Sequence, residues 1–101
     1  MGYKIVVTQP AQLDIEEAVA FIIESSPKAA TKWLRGLIEK INSLHEQPAR
    51  FAVMPETAAL RMRFRSFPYS SHQIIYRIDE DQGIIFITRV YHHARIPLDF
   101  E

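Results

Sequence analysis

The sequence predicts an α+β domain of order β-α-α-β-β-β, a two-helix hairpin packed on a curved, mostly antiparallel four-stranded sheet. Three observations predict it. A short β-branched run opens the chain. Two apolar stripes at helical spacing then follow one another between residues 10 and 46, and three β-rich runs separated by turn residues lie between residues 60 and 91. Elements with one apolar face bury it against another layer, and two helices on one face of a sheet satisfy both stripes. The other sheet face is left for function.

The elements follow in order. Tyr3 to Thr8 is short and rich in β-branched residues, as in a strand. Thr8-Gln9-Pro10 supplies a helix start, because threonine caps and proline in the first turn lacks only a donor that would be unpaired there anyway. From Pro10 to about Ser25, Ala11, Ile15, Ala18 and Ile22 form the apolar stripe, with Phe21 beside them and Asp14, Glu16, Glu17 and Glu24 on the wet side. Ser26 and Pro27 repeat the cap-and-proline start, and the second stripe is Ala30, Trp33, Leu37, Ile41 and Leu44, ending near Glu46. So short a connection makes the helices an antiparallel hairpin. Gly36 inside the second helix costs about 1 kcal/mol relative to alanine, which points to either close helix approach or tolerance on an exposed face.

Residues 47–59 hold two prolines and no period, and read as a loop. Leu60 to Phe67 alternates, with Arg61, Arg63 and Arg65 on one side and Leu60, Met62 and Phe64 on the other. Pro68 to Ser71 turns the chain. His72 to Asp79 and Ile84 to Tyr91 flank a four-residue loop ending in Gly83, which reads as a hairpin. Ile84, Ile85, Phe86 and Ile87 are apolar without alternation, so the last strand is expected to be central and covered on both faces. Residues 92–101 contain Pro97 and read as an irregular tail.

With 101 residues, 48% of them apolar, the chain supports one core and is read as one domain over residues 1–101. Cysteine is absent, so disulfides, thiolate metal sites and a thiol nucleophile are excluded. No apolar run reaches the roughly 18 residues of a membrane span, and the expected location is the cytoplasm. Formal net charge is zero, an unusual balance for a protein that binds nucleic acid through many phosphates. The charge is uneven, however. Residues 57–78 hold four arginines and no acid, and residues 84–98 hold two more arginines and again no acid. A basic surface on the C-terminal half follows despite overall neutrality.

Glycine-rich phosphate loops, serine triads and paired-carboxylate motifs are all missing from the sequence. His92 and His93 are adjacent in an extended segment and point to opposite sides, so one metal ion cannot take both; no metal or cofactor is expected. His45 and His72 stand alone in the sequence and read as surface or helix-end residues, while Trp33, Phe21, Phe64 and Phe67 read as core.

Several of these residues, in this order, resemble the RelE/ParE superfamily of toxins from bacterial toxin–antitoxin pairs. They are Ala11, Asp14-Ile15, Ala18, Phe21-Ile22, Ala30, Trp33, Leu37, Ile41, Leu44 and Pro48; Arg65-Ser66-Phe67-Pro68-Tyr69 leading to Ile75-Tyr76-Arg77; and Val90-Tyr91-His92-His93-Ala94-Arg95. The resemblance spans almost the whole chain. It implies a toxin neutralised by a cognate antitoxin in a hetero-oligomer, and one of two activities: RelE-like cleavage of messenger RNA in the ribosome, or ParE-like poisoning of DNA gyrase. The chain departs from many RelE-like nucleases in having no lysine after Lys40, and Ile96 stands where many relatives carry an aspartate.

RNA cleavage by the 2′-hydroxyl needs a base, an acid and cations for the phosphorane charge. If the chain is RelE-like, His92 or Tyr91 would handle protons and Arg65, Arg77 and Arg89 would supply charge. The target-binding candidates are Arg61, Arg63, Arg65, Arg77, Arg89 and Arg95. Two readings of the Arg61-Arg63-Arg65 series stay open, a functional face or the solvated face of an edge strand. Arg77 and Arg89 follow apolar runs on inner strands, where an unpaired charge is costly; they are target-binding residues, or ion-pair partners of Asp79 or a C-terminal acid. Neutral charge and the missing lysines favour gyrase as target over the ribosome and its messenger RNA. An inactive chain that only binds its antitoxin is the third reading.

Overall fold

The computed structural model describes residues 2–57 and 63–93. β1 (Lys4–Val7) is followed by α1 (Gln9–Ser25) and α2 (Pro27–Asn42), three short 3-10 turns, and the strands β2 (Arg65–Tyr69), β3 (His72–Asp79) and β4 (Ile84–His92). The sheet order is β1-β4-β3-β2, with β1 parallel to β4 and the other pairs antiparallel. The α+β order expected from the sequence is therefore the observed one.

Both helix starts are made as the sequence implies. Thr8 Oγ1 accepts from the Ala11 amide at 3.4 Å and Ser26 Oγ accepts from the Ala29 amide at 3.1 Å. The Thr8 hydroxyl also donates to the carbonyls of Ile87 (3.0 Å) and Thr88 (3.1 Å), so one residue caps α1 and fastens it to β4. The α2 stripe is buried at Ala30, Trp33, Leu37 and Ile41 and continues into Leu44. It meets Phe67, Ile74, Tyr76, Ile85, Ile87 and Val90 from the sheet. Gly36 is explained by close approach: a Cβ there would collide with the Tyr69 hydroxyl, which donates to the Trp33 carbonyl at 2.8 Å. Gly83, at φ 67°, closes the β3–β4 loop in a conformation glycine adopts without strain.

Four details differ from the sequence reading. β2 begins at Arg65 and runs to Tyr69, and Phe67 on it is fully buried, so the odd-numbered residues face the helices. Arg65 therefore stands on the core side; the alternation over residues 60–67 had put it on the wet one. Strand β4 is central, yet helices cover only one of its faces, and Ile84 and Phe86 remain half-buried. Phe21 is 75% exposed and no part of the core. Asp14, expected on the wet side of α1, is half-buried against the sheet. Its position three after Ala11 and four before Ala18 places it on the buried stripe.

Candidate functional site

Because β-strand side chains alternate, the pairing register fixes what the sheet face opposite the helices carries, here called the open face. Phe67, Ile74, Tyr76 and Ile87 turn toward the helices, so their neighbours Ser66, Gln73, Ile75, Arg77 and Phe86 turn away, Ile75 fully buried and the other four half-buried. On this open face the Arg77 guanidinium lies 4.3 Å from the Phe86 ring centroid, and Gln73 Nε2 donates to Ser66 Oγ at 3.0 Å. At the β4 end Arg89 lies 4.3 Å from the centroid of Tyr91. The attraction of the Phe86 ring for Arg77 needs no counter-charge, which leaves the outward edge of that guanidinium able to meet an acidic partner.

Arg77 and Arg89 occupy different electrostatic settings. Arg89 donates through Nε and Nη2 to Asp14 at 2.8 and 2.9 Å, and the Val90 amide donates to the same carboxylate at 2.9 Å. This bidentate pair raises the Arg89 pKa further above its ordinary value, the hydrogen bond to Asp14 being the largest cause. Asp14 takes this place because β1 ends at Val7, leaving the β4 edge beyond it without a strand partner among the described residues. Of the readings left open by sequence, Arg89 is thus an ion-pair partner, and among the described residues its acid is Asp14 and not Asp79; the C-terminal acids lie outside the described residues. Arg77 meets no carboxylate within ion-pair distance among the described residues.

Tyr91 and His92, the candidate proton-transfer residues, are separated. Tyr91 pairs with Gln73 on the open side, whereas His92 pairs with His72 on the helix side, where the two imidazole centroids are 5.3 Å apart. His72 also meets Trp33 edge-on at 5.2 Å, and its buried Nδ1 has no hydrogen-bond partner. It is not the isolated surface histidine that the sequence suggested. Burial, then the neighbouring His92 and His93, lower its pKa, with Asp14 opposing.

Arg65 is parted from Arg77 and Arg89. Its Nη1 donates to the carbonyls of Phe51 (2.7 Å) and Ala49 (3.2 Å) on the helix side. There the buried Tyr76 hydroxyl donates to the Pro48 carbonyl at 2.6 Å. Burial pushes the Tyr76 pKa up, against the pull of Arg65 and Arg50. Arg63 is exposed just before β2, and Arg61 and Arg95 lie outside the described residues. The residues sequence reasoning missed are Asp14, for which the stripe position was the signal, and Phe51 with Arg50, for which the sequence held none.

Comparison with known proteins agrees with this architecture. A family model described as the ParE toxin of the type II toxin–antitoxin system, parDE, matches residues 5–97. The chain belongs to that family. Among curated proteins none matches significantly. Solved structures similar to this ParE-family toxin come from both branches of the RelE/ParE superfamily. A chain of the chromosomal ParDE toxin–antitoxin system of P. aeruginosa aligns with TM-score 0.68 and 16% identity, covering 89% of this chain and 95% of that one. A chain of the RelBE2 toxin–antitoxin complex of Mycobacterium tuberculosis gives 0.64 and 21%, covering 91% and 99%. One from the archaeal RelE–RelB complex of Pyrococcus horikoshii OT3 gives 0.62 and 18%, covering 95% and 100%. At such identities these neighbours speak for the fold. Among the described residues this toxin has no helix long and apolar enough to cross a membrane.

Proposed function

We propose that this toxin poisons DNA gyrase through the open sheet face and that a cognate antitoxin silences it. The observation that carries the target is the separation of Tyr91 from His92. General acid–base cleavage needs both proton-transfer groups within reach of one phosphodiester, and side chains on opposite sides of a strand do not converge. A protein-directed poison needs no such pair. It needs a rigid, chemically distinctive patch, which Arg77 over Phe86, beside Gln73 and Ser66, supplies. Arg89 and Tyr91 form its rim, and Arg61, Arg63 and Arg95 remain proposed target contacts.

For the antitoxin, the supporting feature is the groove between β1 and the helical hairpin. It has a volume of about 350 Å³ and is lined by Ile5, Val7, Ile15, Leu34 and Ile38. Among the described residues the outer edge of β1 beside it has no strand partner, so an extended or helical apolar segment can bury side chains in the groove while pairing with that edge. The structural relatives are themselves toxin–antitoxin complexes.

The test is a supercoiling assay with purified gyrase together with mapping of RNA ends after induction. The expected result is inhibited supercoiling, a DNA-damage response and intact messenger RNA. Codon-positioned cuts suppressed by His92→Ala or Tyr91→Phe would establish the nuclease reading instead.

A further inference from the structure

The charges that cancel over the whole chain are segregated in space. Helix α1 carries Asp14, Glu16, Glu17 and Glu24 and no cation, whereas α2 carries Lys28, Lys32, Arg35 and Lys40 against Glu39 alone. Lys28, Lys32, Gly36 and Lys40 form one i, i+4 row, with steps of about 6 Å along the helix. The row runs past the Tyr69 hydroxyl, which Gly36 meets, and so along the β2 side of the molecule. All three lysines are exposed.

At its C-terminal end the row continues into a cluster around Phe51. Lys40 Nζ lies 5.9 Å and the Arg50 guanidinium 4.9 Å from the centroid of that ring, and Arg65 binds the Phe51 carbonyl. Arg50 is further held by a hydrogen bond to Ser43 Oγ. No carboxylate reaches Lys40, Arg50 or Arg65 within ion-pair distance among the described residues. Two cations are thus held at the Phe51 ring and a third at its carbonyl, none with a carboxylate partner among the described residues.

We infer that the α2 row and the Phe51 cluster form a contact surface for the phosphodiester backbone of duplex DNA, read without regard to sequence. Three features select this partner. The cations are arranged linearly, Lys28 and Lys32 about 6 Å apart along the helix and Lys40 about 12 Å beyond Lys32, with Arg50 continuing the line past the Phe51 ring. Among the described residues the surface lacks the apolar centre of a protein interface, because the exposed large apolar side chains, Val7, Leu13, Phe21, Ile23 and Ile38, lie on β1, α1 or the groove side of α2. The Phe51 ring is stacked on Phe67 at 4.7 Å with Arg50 near it, so it offers no free platform for a base, and backbone contact is what remains. This surface adds to the gyrase reading, since gyrase holds DNA as its substrate, but binding through α2 does not require it.

Fluorescence anisotropy of the full chain with a short mixed-sequence DNA duplex, repeated over a salt series, tests the inference. Each lost phosphate contact lowers the log–log salt slope by about 0.9, so the double variant Lys32→Gln, Lys40→Gln should weaken binding and flatten the slope by about 2. Both positions are solvent-exposed, and the variant should melt with the parent. Lys4→Gln, on β1, should leave the slope unchanged. Absent binding, or binding that ignores the double substitution, overturns the inference. Polyglutamate competing more tightly than DNA, with the same dependence on Lys32 and Lys40, overturns it in favour of an acidic protein partner. A parent chain that inhibits supercoiling but does not bind the duplex would remove this surface alone, whereas DNA binding without inhibition would remove only the gyrase target.

Discussion

Between Ile84 and Ile87, β4 lies between parallel β1 and antiparallel β3, while between Thr88 and His92 it keeps β3 and α1 stands where β1 has ended. The first half is secured by backbone pairing on both edges and by the fully buried Ile85 and Ile87. In the second half one edge is held by polar side chains, Thr8 on the carbonyls of Ile87 and Thr88 and Asp14 on the Val90 amide and Arg89. The comparison teaches how a short edge strand leaves room for function. Where β1 stops, its hydrogen-bonding role passes to a helix, and the freed end of β4 carries the arginine–tyrosine rim of the open face.

If that division is right, the halves should fail differently. The largest loss is expected from Ile87→Ala, about 3 kcal/mol from lost burial and an unfilled cavity, read by chemical denaturation. Next comes Asp14→Ala, which leaves the Val90 amide and the Arg89 guanidinium without their acceptor. Both partners of the pair are partly exposed, 38% for Arg89 and 17% for Asp14, so the expected loss is about 2 kcal/mol rather than that of a fully buried ion pair. Arg89→Gln should cost about 1 kcal/mol, because Asp14 keeps the Val90 amide. An Arg89→Gln loss larger than that of Asp14→Ala would break the account, since it would make the arginine and not the strand edge the main client of Asp14.

The smallest effect is a pH dependence at the end of the second half. The folded state lowers the His72 pKa, chiefly by burial, so the unfolded chain binds the proton first as pH falls. The His72 contribution is then fully present above the unfolded value near 6.5 and is lost as pH drops below it, down to the lower folded value. His72→Phe should flatten the decline in thermal stability between neutral and mildly acidic pH. A variant whose decline matches the parent would show that other groups cause it.

Much of this organisation was legible in the sequence, and the limits have physical causes. The helical stripes at Trp33, Leu37, Ile41 and Leu44 and the cap-and-proline starts at Thr8 and Ser26 are local signals, and they place both helices. The hairpin around Gly83 is local too. What escaped depends on contacts between distant segments. Arg65 changes side because Phe67 sets the phase of a five-residue strand, and alternation over residues 60–67 carries no information on where that strand begins. The Asp14–Arg89 pair joins residues 75 positions apart. The cluster of Lys40, Arg50 and Arg65 around Phe51 draws on three separate segments.

For function the contrast narrows to two arginines on one sheet. Arg89 is tied to Asp14, and its loss mixes stability with activity; Arg77 lies over Phe86 with no carboxylate in ion-pair reach among the described residues, and its loss should touch activity alone. The decisive measurement is therefore the inhibition of supercoiling by purified gyrase with the parent toxin and with Arg77→Gln, beside their melting curves. The account predicts that the parent inhibits, that Arg77→Gln does not, and that the two melt together. A parent protein that leaves supercoiling untouched, or an Arg77→Gln variant that inhibits as strongly as the parent, would contradict it.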